Sequence, residues 1–208
     1  MRAVIPVKIL REGARALGVN LAPEQEEKFA LYLSELLKWN KKINLTSITD
    51  PRDVVIKHFL DSLAVERLLP RGRFKAADIG SGAGFPGLAL GVIRADMELL
   101  LVEPAHKKAA FLRHAARLLA VGAAVVEERA EGLADLYRGR FDIILSRAFK
   151  ASEDLLPLAR PLLKEGGGVV LSLGPGMGKS YPGWRVLRQE EITLPFSDIK
   201  RALVLLEK

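Results

Sequence analysis

The sequence predicts an α/β protein, a mostly parallel sheet with an antiparallel closing hairpin, preceded by helices. Three observations carry this expectation. From residue 73 onward, short apolar runs alternate with longer amphipathic ones, the signature of a parallel sheet covered on both faces. A glycine-rich turn, Gly80-Ser81-Gly82-Ala83-Gly84-Phe85-Pro86-Gly87, joins the first of those runs to an apolar helix. Before residue 73 the readable segments are helical. A chain of 208 residues with 49% hydrophobic content is long enough for one such domain and an appendage.

Taken in order, the first helix runs from Val4 to Leu17 and ends at Gly18. Pro23 starts the second, with Glu24, Glu26 and Glu27 in its first turn and Lys38, Lys41 and Lys42 at its end. That charge order suits the helix dipole. Phe29, Leu33, Leu36, Leu37 and Trp39 fall near one face. Asp50-Pro51 opens a short helix, and the stretch from Val54 to Leu68 reads as two helical pieces. Pro70-Arg71-Gly72-Arg73 marks a boundary, so residues 1–72 form a helical extension and 73–208 the sheet domain. Strands are expected at 75–79, 98–102, 123–127, 141–145 and 168–173, with helices at 87–93, 106–121, 131–137 and 152–163. Two tail strands, Trp184 to Thr193 and Lys200 to Leu206, flank Pro195-Phe196-Ser197-Asp198 and suit a hairpin. The stretch from Gly174 to Ser180 has the look of a phosphate loop but not its spacing, and no apolar helix follows.

The glycine turn admits two ligands. Gly82-x-Gly84-x-x-Gly87 fits the dinucleotide fingerprint, in which a pyrophosphate rests on a helix N-terminus. Asp78, two residues before the first glycine, fits instead a loop for S-adenosylmethionine. Glu103 ends the next apolar run, where a carboxylate accepts hydrogen bonds from ribose hydroxyls in either case. A plain turn with two helix-capping acids fits each residue singly, though not the combination at consecutive strand ends.

Composition narrows the chemistry. The absence of cysteine removes disulfides, thiolate metal sites and cysteine nucleophiles. His58, His106 and His114 have no metal-ligand spacing, so no metal is expected. No run is apolar enough to span a bilayer, and the N-terminus lacks a secretory pattern, so the cytoplasm is the expected location. A net charge of +7 suits a polyanionic partner or simply a basic surface. Lys107, Lys108, Arg113 and Arg117 on one helix suit a solvated face or a nucleic-acid backbone equally.

Three polar clusters break the core pattern: Asn44-Leu45-Thr46, Lys57-His58-Phe59-Leu60-Asp61-Ser62 and Ser146-Arg147-Ala148-Phe149. Asn44 reads equally as a turn residue, and His58 as a packed imidazole. Arg147 follows a strand at the ligand edge of the sheet, where it suits phosphate binding, stacking on a base or a surface ion pair.

These clusters and the glycine turn, in this order and spacing, closely resemble the bacterial small-subunit ribosomal RNA guanine-N7 methyltransferases, the glucose-inhibited division protein B family. The resemblance runs from about Leu31 to Leu173. It implies a class I methyltransferase fold, S-adenosylmethionine as methyl donor and a guanine in 16S ribosomal RNA as acceptor. It implies donor contacts from Asp78, Gly80, Gly82, Gly84, Phe85, Glu103, Ala130, Glu131 and Arg147. It further implies that Asn44, His58 and Arg147 hold the guanine. The family's lysine after the fifth strand is replaced by Gly174 here, with Lys179 as a candidate substitute. The absent cysteine agrees, because C5 methylation of a pyrimidine would need a thiol. Exocyclic amine methylation would come with an Asp/Asn-Pro-Pro-aromatic loop, which Ser146-Arg147-Ala148-Phe149 is not. With no long apolar stripe left over, a monomer is expected.

Overall fold

Seven strands build the sheet in the computed structural model, which describes residues 6–147, 152–174 and 180–208. They are β1 (Phe74–Ile79), β2 (Met97–Val102), β3 (Ala123–Val126), β4 (Phe141–Arg147), β5 (Leu163–Leu173), β6 (Arg185–Thr193) and β7 (Lys200–Glu207). Their order across the sheet is β3-β2-β1-β4-β5-β7-β6. The first five are parallel, and β7 runs antiparallel between β5 and β6. The chain reverses its direction of progress at β1, between β2 and β4. Open α/β sheets bind ligands outside the strand ends at such a point.

The helices are α1 (Val7–Ala16), α2 (Pro23–Asn40), α3 (51–68), α4 (Gly87–Ile93), α5 (His106–Leu118), α6 (Leu133–Tyr137) and α7 (Ser152–Ala159). Pro23 opens α2, and the Gln25 side chain accepts the Ala22 N–H at 2.9 Å. Such a reciprocal contact satisfies a donor that the first turn would leave unpaired. Arg11 of α1 donates twice to Glu26 of α2, at 2.6 Å each, and fixes the two helices together.

Side chains alternate across the sheet with period two, and this sorts them between two cores. Ala76, Leu99, Leu101, Ile143, Leu145, Val170 and Leu203 share one core with α1 to α5. Ala77, Leu100, Ile144, Val169, Leu171 and Val204 share the other with α6 and α7. The N-terminal helices therefore share one face of the sheet with α4 and α5, and residues 6–72 meet the rest of the chain in a continuous apolar layer.

Several boundaries differ from expectation. The segment read as a short helix followed by two pieces is one unbroken helix, α3, with a π turn at Val55–Leu60 and a 3₁₀ end at Val65–Leu68. A single wide turn has no sequence signature in the apolar spacing. Strand β4 reaches Arg147, two residues past the expected end. Strand β5 starts at Leu163 instead of 168, because the register shifts between Phe141 and Ile143 and lets a glycine-rich segment bulge into the ladder. The expected helix 152–163 accordingly stops at Ala159 and finishes as 3₁₀ turn. Helix α5 ends at Leu118 rather than 121, where the Val121 N–H turns back to Ala116 O. A 3₁₀ turn, Ala130–Gly132, precedes α6. The Ala148-Phe149 part of one polar cluster and Lys179 lie outside the described residues.

Candidate active site

The glycine turn leaves β1 after Ile79 and passes over the C-terminal ends of β1 and β2, where Gly80 and Ser81 N–H donate to Val102 O. Gly80, Gly82 and Gly84 all have positive φ, which a side chain would make costly. Gly84 is fixed from outside the loop. A Cβ there would collide with the Tyr32 hydroxyl, which donates to Ala83 O at 2.6 Å. Burial pushes the Tyr32 phenol well above its ordinary pKa, so it remains a donor. Gly87 opens α4 directly beneath the loop, where a Cβ would lie 2.7 Å from Asp78 Oδ2. Its N–H donates instead to that oxygen at 2.9 Å.

Asp78 is fully buried, and its other oxygen, Oδ1, has no hydrogen-bond partner among the described residues. Burial raises its pKa to about 7, against the lowering effects of the Gly87 N–H and Arg147. A buried acceptor without a donor is unfavourable by itself, and an N–H or ammonium ligand would satisfy it. Glu103 directly follows β2 and is 5% exposed. One of its oxygens accepts from Gly82 N–H and the other from Ala105 N–H, each at 2.9 Å. Each carboxylate oxygen keeps a lone pair for a hydroxyl donor.

A second layer crosses from the helical extension to the sheet. His58 lies in the π turn of α3 and stacks on Phe85 of the glycine loop, with ring centroids 4.6 Å apart and planes inclined by 12°. Arg147 ends β4 on the face that α3 covers. Its Nη2 donates to His58 Nδ1 at 3.0 Å and its Nη1 to Lys57 O at 2.9 Å. The guanidinium carbon sits 5.1 Å from the Phe85 ring centre. A guanidinium only donates, so His58 Nδ1 accepts and Nε2 carries the proton. Nε2–H then donates to Thr46 Oγ1 at 2.8 Å. Ile48 N–H donates to the same hydroxyl at 3.0 Å, which leaves the Thr46 proton available to a further acceptor. Burial, then the Arg147 charge, lowers the His58 pKa to about 3. His58 is thus a neutral ring held in one tautomer.

The comparisons with known proteins agree on what such a constellation belongs to. The sequence model of the GidB family, rRNA small subunit methyltransferase G, matches residues 25–176. The chain belongs to that family. It is 40% identical to the ribosomal RNA small subunit methyltransferase G of Geobacter metallireducens over 95% of this chain and 94% of that one. It is 38% identical to the protein of the same name from Caldanaerobacter subterraneus over 97% and 90%. In fold it resembles a SAM-dependent methyltransferase from Aquifex aeolicus, at TM-score 0.59 and 13% identity, over 82% of this chain and 97% of that one. TrmN from Thermus thermophilus is similar at TM-score 0.56 and 18% identity, over 74% and 53%. The class I methyltransferase fold is therefore that of this chain.

Within the family frame, the structure gathers Asp78, Gly80, Gly82, Gly84, Phe85 and Glu103 around one loop, with His58 and Arg147 stacked against it. Ala130 and Glu131 follow β3 at the same edge of the sheet, Glu131 exposed and Ala130 half-buried. Asn44 is exposed and makes no side-chain hydrogen bond among the described residues. Asn40, the last residue of α2, shapes that segment instead. Its Oδ1 accepts from Leu45 and Thr46 N–H at 2.8 and 3.0 Å, and its Nδ2 donates to Thr46 O at 2.8 Å. Asp61, which the sequence marks only as part of the polar cluster 57–62, and Arg201, which it does not mark, also belong to the site. Arg201 comes from β7, and nothing local marks it, although period two places it on the same face as Leu203. No group of three or more metal-ligating side chains occurs among the described residues, and none of their helices is long and apolar enough to cross a membrane.

Proposed function

We propose that the chain is an S-adenosylmethionine-dependent methyltransferase that modifies N7 of a guanine in 16S ribosomal RNA, acting in the cytoplasm as a monomer. The observation that carries this reading is the meeting of the glycine loop, with the orphaned Asp78 Oδ1, and the Arg147–His58 pair on the Phe85 ring. The donor supplies a methyl carbon bonded to a positively charged sulfur. On this reading Asp78 Oδ1 takes an ammonium N–H of the donor and Glu103 its ribose hydroxyls. Gly80, Gly82, Gly84 and Phe85 line its methionine side, and Ala130 and Glu131 flank its adenine.

Guanine N7 already carries a lone pair in the ring plane, so no general base is required. This suits His58, which is neutral and has its basic nitrogen occupied by Arg147. The remaining task is alignment, and holding two reactants in line lowers a barrier by several kcal/mol, up to about 7–11 in ideal intramolecular cases. Arg147 and His58 form one rigid unit on Phe85 for that purpose. Asn44, exposed at the rim of the same loop as Thr46, is placed to meet a base or its ribose as RNA arrives. An unpaired loop is the natural target, because base edges within RNA helices are hard to reach.

The experiment is methyl transfer from labelled S-adenosylmethionine to naked 16S RNA, small subunits and whole ribosomes. We expect label at guanine with at least one of these. Arg147→Ala is expected to lower the rate about 100-fold, or 2.7 kcal/mol of transition-state stabilisation, while donor-free melting moves by only a few degrees. Label in none of the three substrates would overturn the reading, and an unchanged Arg147→Ala rate would remove that residue from it.

A further inference from the structure

Asp61 has no part in the mechanism above, yet it is almost as buried as Asp78 and lies against Arg147. It sits on α3 one turn after His58 and is 1% exposed. Four donor atoms converge on its carboxylate from three strands. Arg147 of β4 donates to Oδ2 at 3.4 Å. Arg201 of β7 places Nε 3.1 Å from both oxygens and Nη2 3.0 Å from Oδ2. Ser172 of β5, the register partner of Arg147, donates to Oδ1 at 3.3 Å. Holding α3 on the sheet would need one of these contacts. The observed set does more, because it places one carboxylate between two guanidinium groups and leaves Arg147 Nη2 free to reach His58.

We propose that Asp61 is a positioning residue, which clamps the Arg147 guanidinium in the plane that meets His58 and Phe85 and keeps Arg201 from displacing it. The proposal deepens the assignment of Arg147 to the target base and rests on it. Two like charges this close repel, and the carboxylate between them fixes their separation. Without it, Arg147 gains rotamers and His58 loses the donor that sets its tautomer. The other partners of Arg147, the Lys57 carbonyl at 2.9 Å and His58 Nδ1 at 3.0 Å, are closer but neutral, so they orient the guanidinium without balancing its charge against Arg201.

The test compares Asp61→Asn in the native and Arg147→Ala backgrounds. One readout is single-turnover methyl transfer to ribosomal RNA. The other needs neither RNA nor donor: the ring ¹⁵N spectrum of His58, which reports whether Nδ1 accepts a hydrogen bond. We expect Asp61→Asn to slow transfer about 30-fold with RNA affinity changed less than threefold, and to add less than a twofold loss once Arg147 is alanine. The His58 Nδ1 resonance is expected to move as it does in Arg147→Ala. If Asp61→Asn fails to fold, the charge-balanced pair Asp61→Asn with Arg201→Gln carries the same comparison. Losses that multiply in the two backgrounds, an unmoved His58 resonance, or failure of both variants to fold would overturn the clamp. Absence of transfer by the native protein would instead refute the methyltransferase reading, with the His58 spectrum still judging Asp61.

Discussion

His58 accepts a guanidinium N–H at Nδ1 and lies flat on Phe85, so protonating it would set two cations in contact within a buried layer. Its folded pKa of about 3 lies below the ordinary 6.5. The unfolded ring therefore takes up protons that the folded ring refuses. Stability from this group is complete above pH 6.5 and is lost as pH falls toward 3. Asp78 works in the opposite sense. Its folded pKa of about 7 lies above the ordinary 3.8, so its contribution is complete below pH 3.8 and is lost as pH rises through 7. NMR of His58 in the donor-free protein should show one neutral tautomer from pH 5 to 8. Because His58 acts in the opposite sense over nearly the same window, melting curves should show that Asp78→Asn makes stability rise more steeply with pH between 4 and 7 than in the native protein. A His58 titration near 6.5, or an unchanged pH profile in Asp78→Asn, would contradict these assignments. Asp78, Glu103 and Arg147 were legible because each stands at a strand end, where chain order alone assigns the ligand edge. Asp61 was not, because its Arg201 partner is 140 residues away and no local pattern couples the two.

Among elements, the glycine loop was the most legible and the π turn the least. Glycines at strand-to-helix spacing announce a tight turn, but only packing shows what each excludes. At Gly84 the nearest excluding group is the Tyr32 hydroxyl from α2, 52 residues earlier in the chain. Gly84→Ala should destabilise by roughly 2–4 kcal/mol, from positive φ and from the collision. Tyr32→Phe alone should cost about 1 kcal/mol for the lost bond to Ala83 O. Combined, the two should cost clearly less than their sum, because phenylalanine lacks the atom that the new methyl strikes. Denaturant titration of the four proteins measures this, and strict additivity would contradict it. The π turn escaped the sequence because inserting one residue into a helix leaves its apolar spacing nearly intact. The Asn40 contacts escaped for a related reason: a terminal helix residue carries no sign that its side chain will organise the next loop.

For the whole molecule, alternating apolar and amphipathic runs fixed the sheet and the reversed tail hairpin. They did not reveal that the N-terminal helices pack beside α4 and α5 on one sheet face and bring α3 against Arg147 and Phe85. That arrangement depends on which side of each strand is apolar on both sides of residue 72, and a buried parallel strand is apolar on both. The net charge of +7 belongs at this scale too. Transfer to RNA should weaken as salt rises, with a log–log slope of about −0.7 for each phosphate neutralised on a single strand, whereas donor binding should hardly change. A salt-independent rate on RNA would argue against a phosphate-tracking surface. The central claim, N7 methylation of a guanine, is tested most directly by chemical scission of 16S RNA after incubation with the protein and S-adenosylmethionine. Borohydride and aniline break the chain at N7-methylguanine. The account predicts a new break at one guanine, lost with Arg147→Ala. Incorporated label without any such break would place the methyl group on another atom and contradict it.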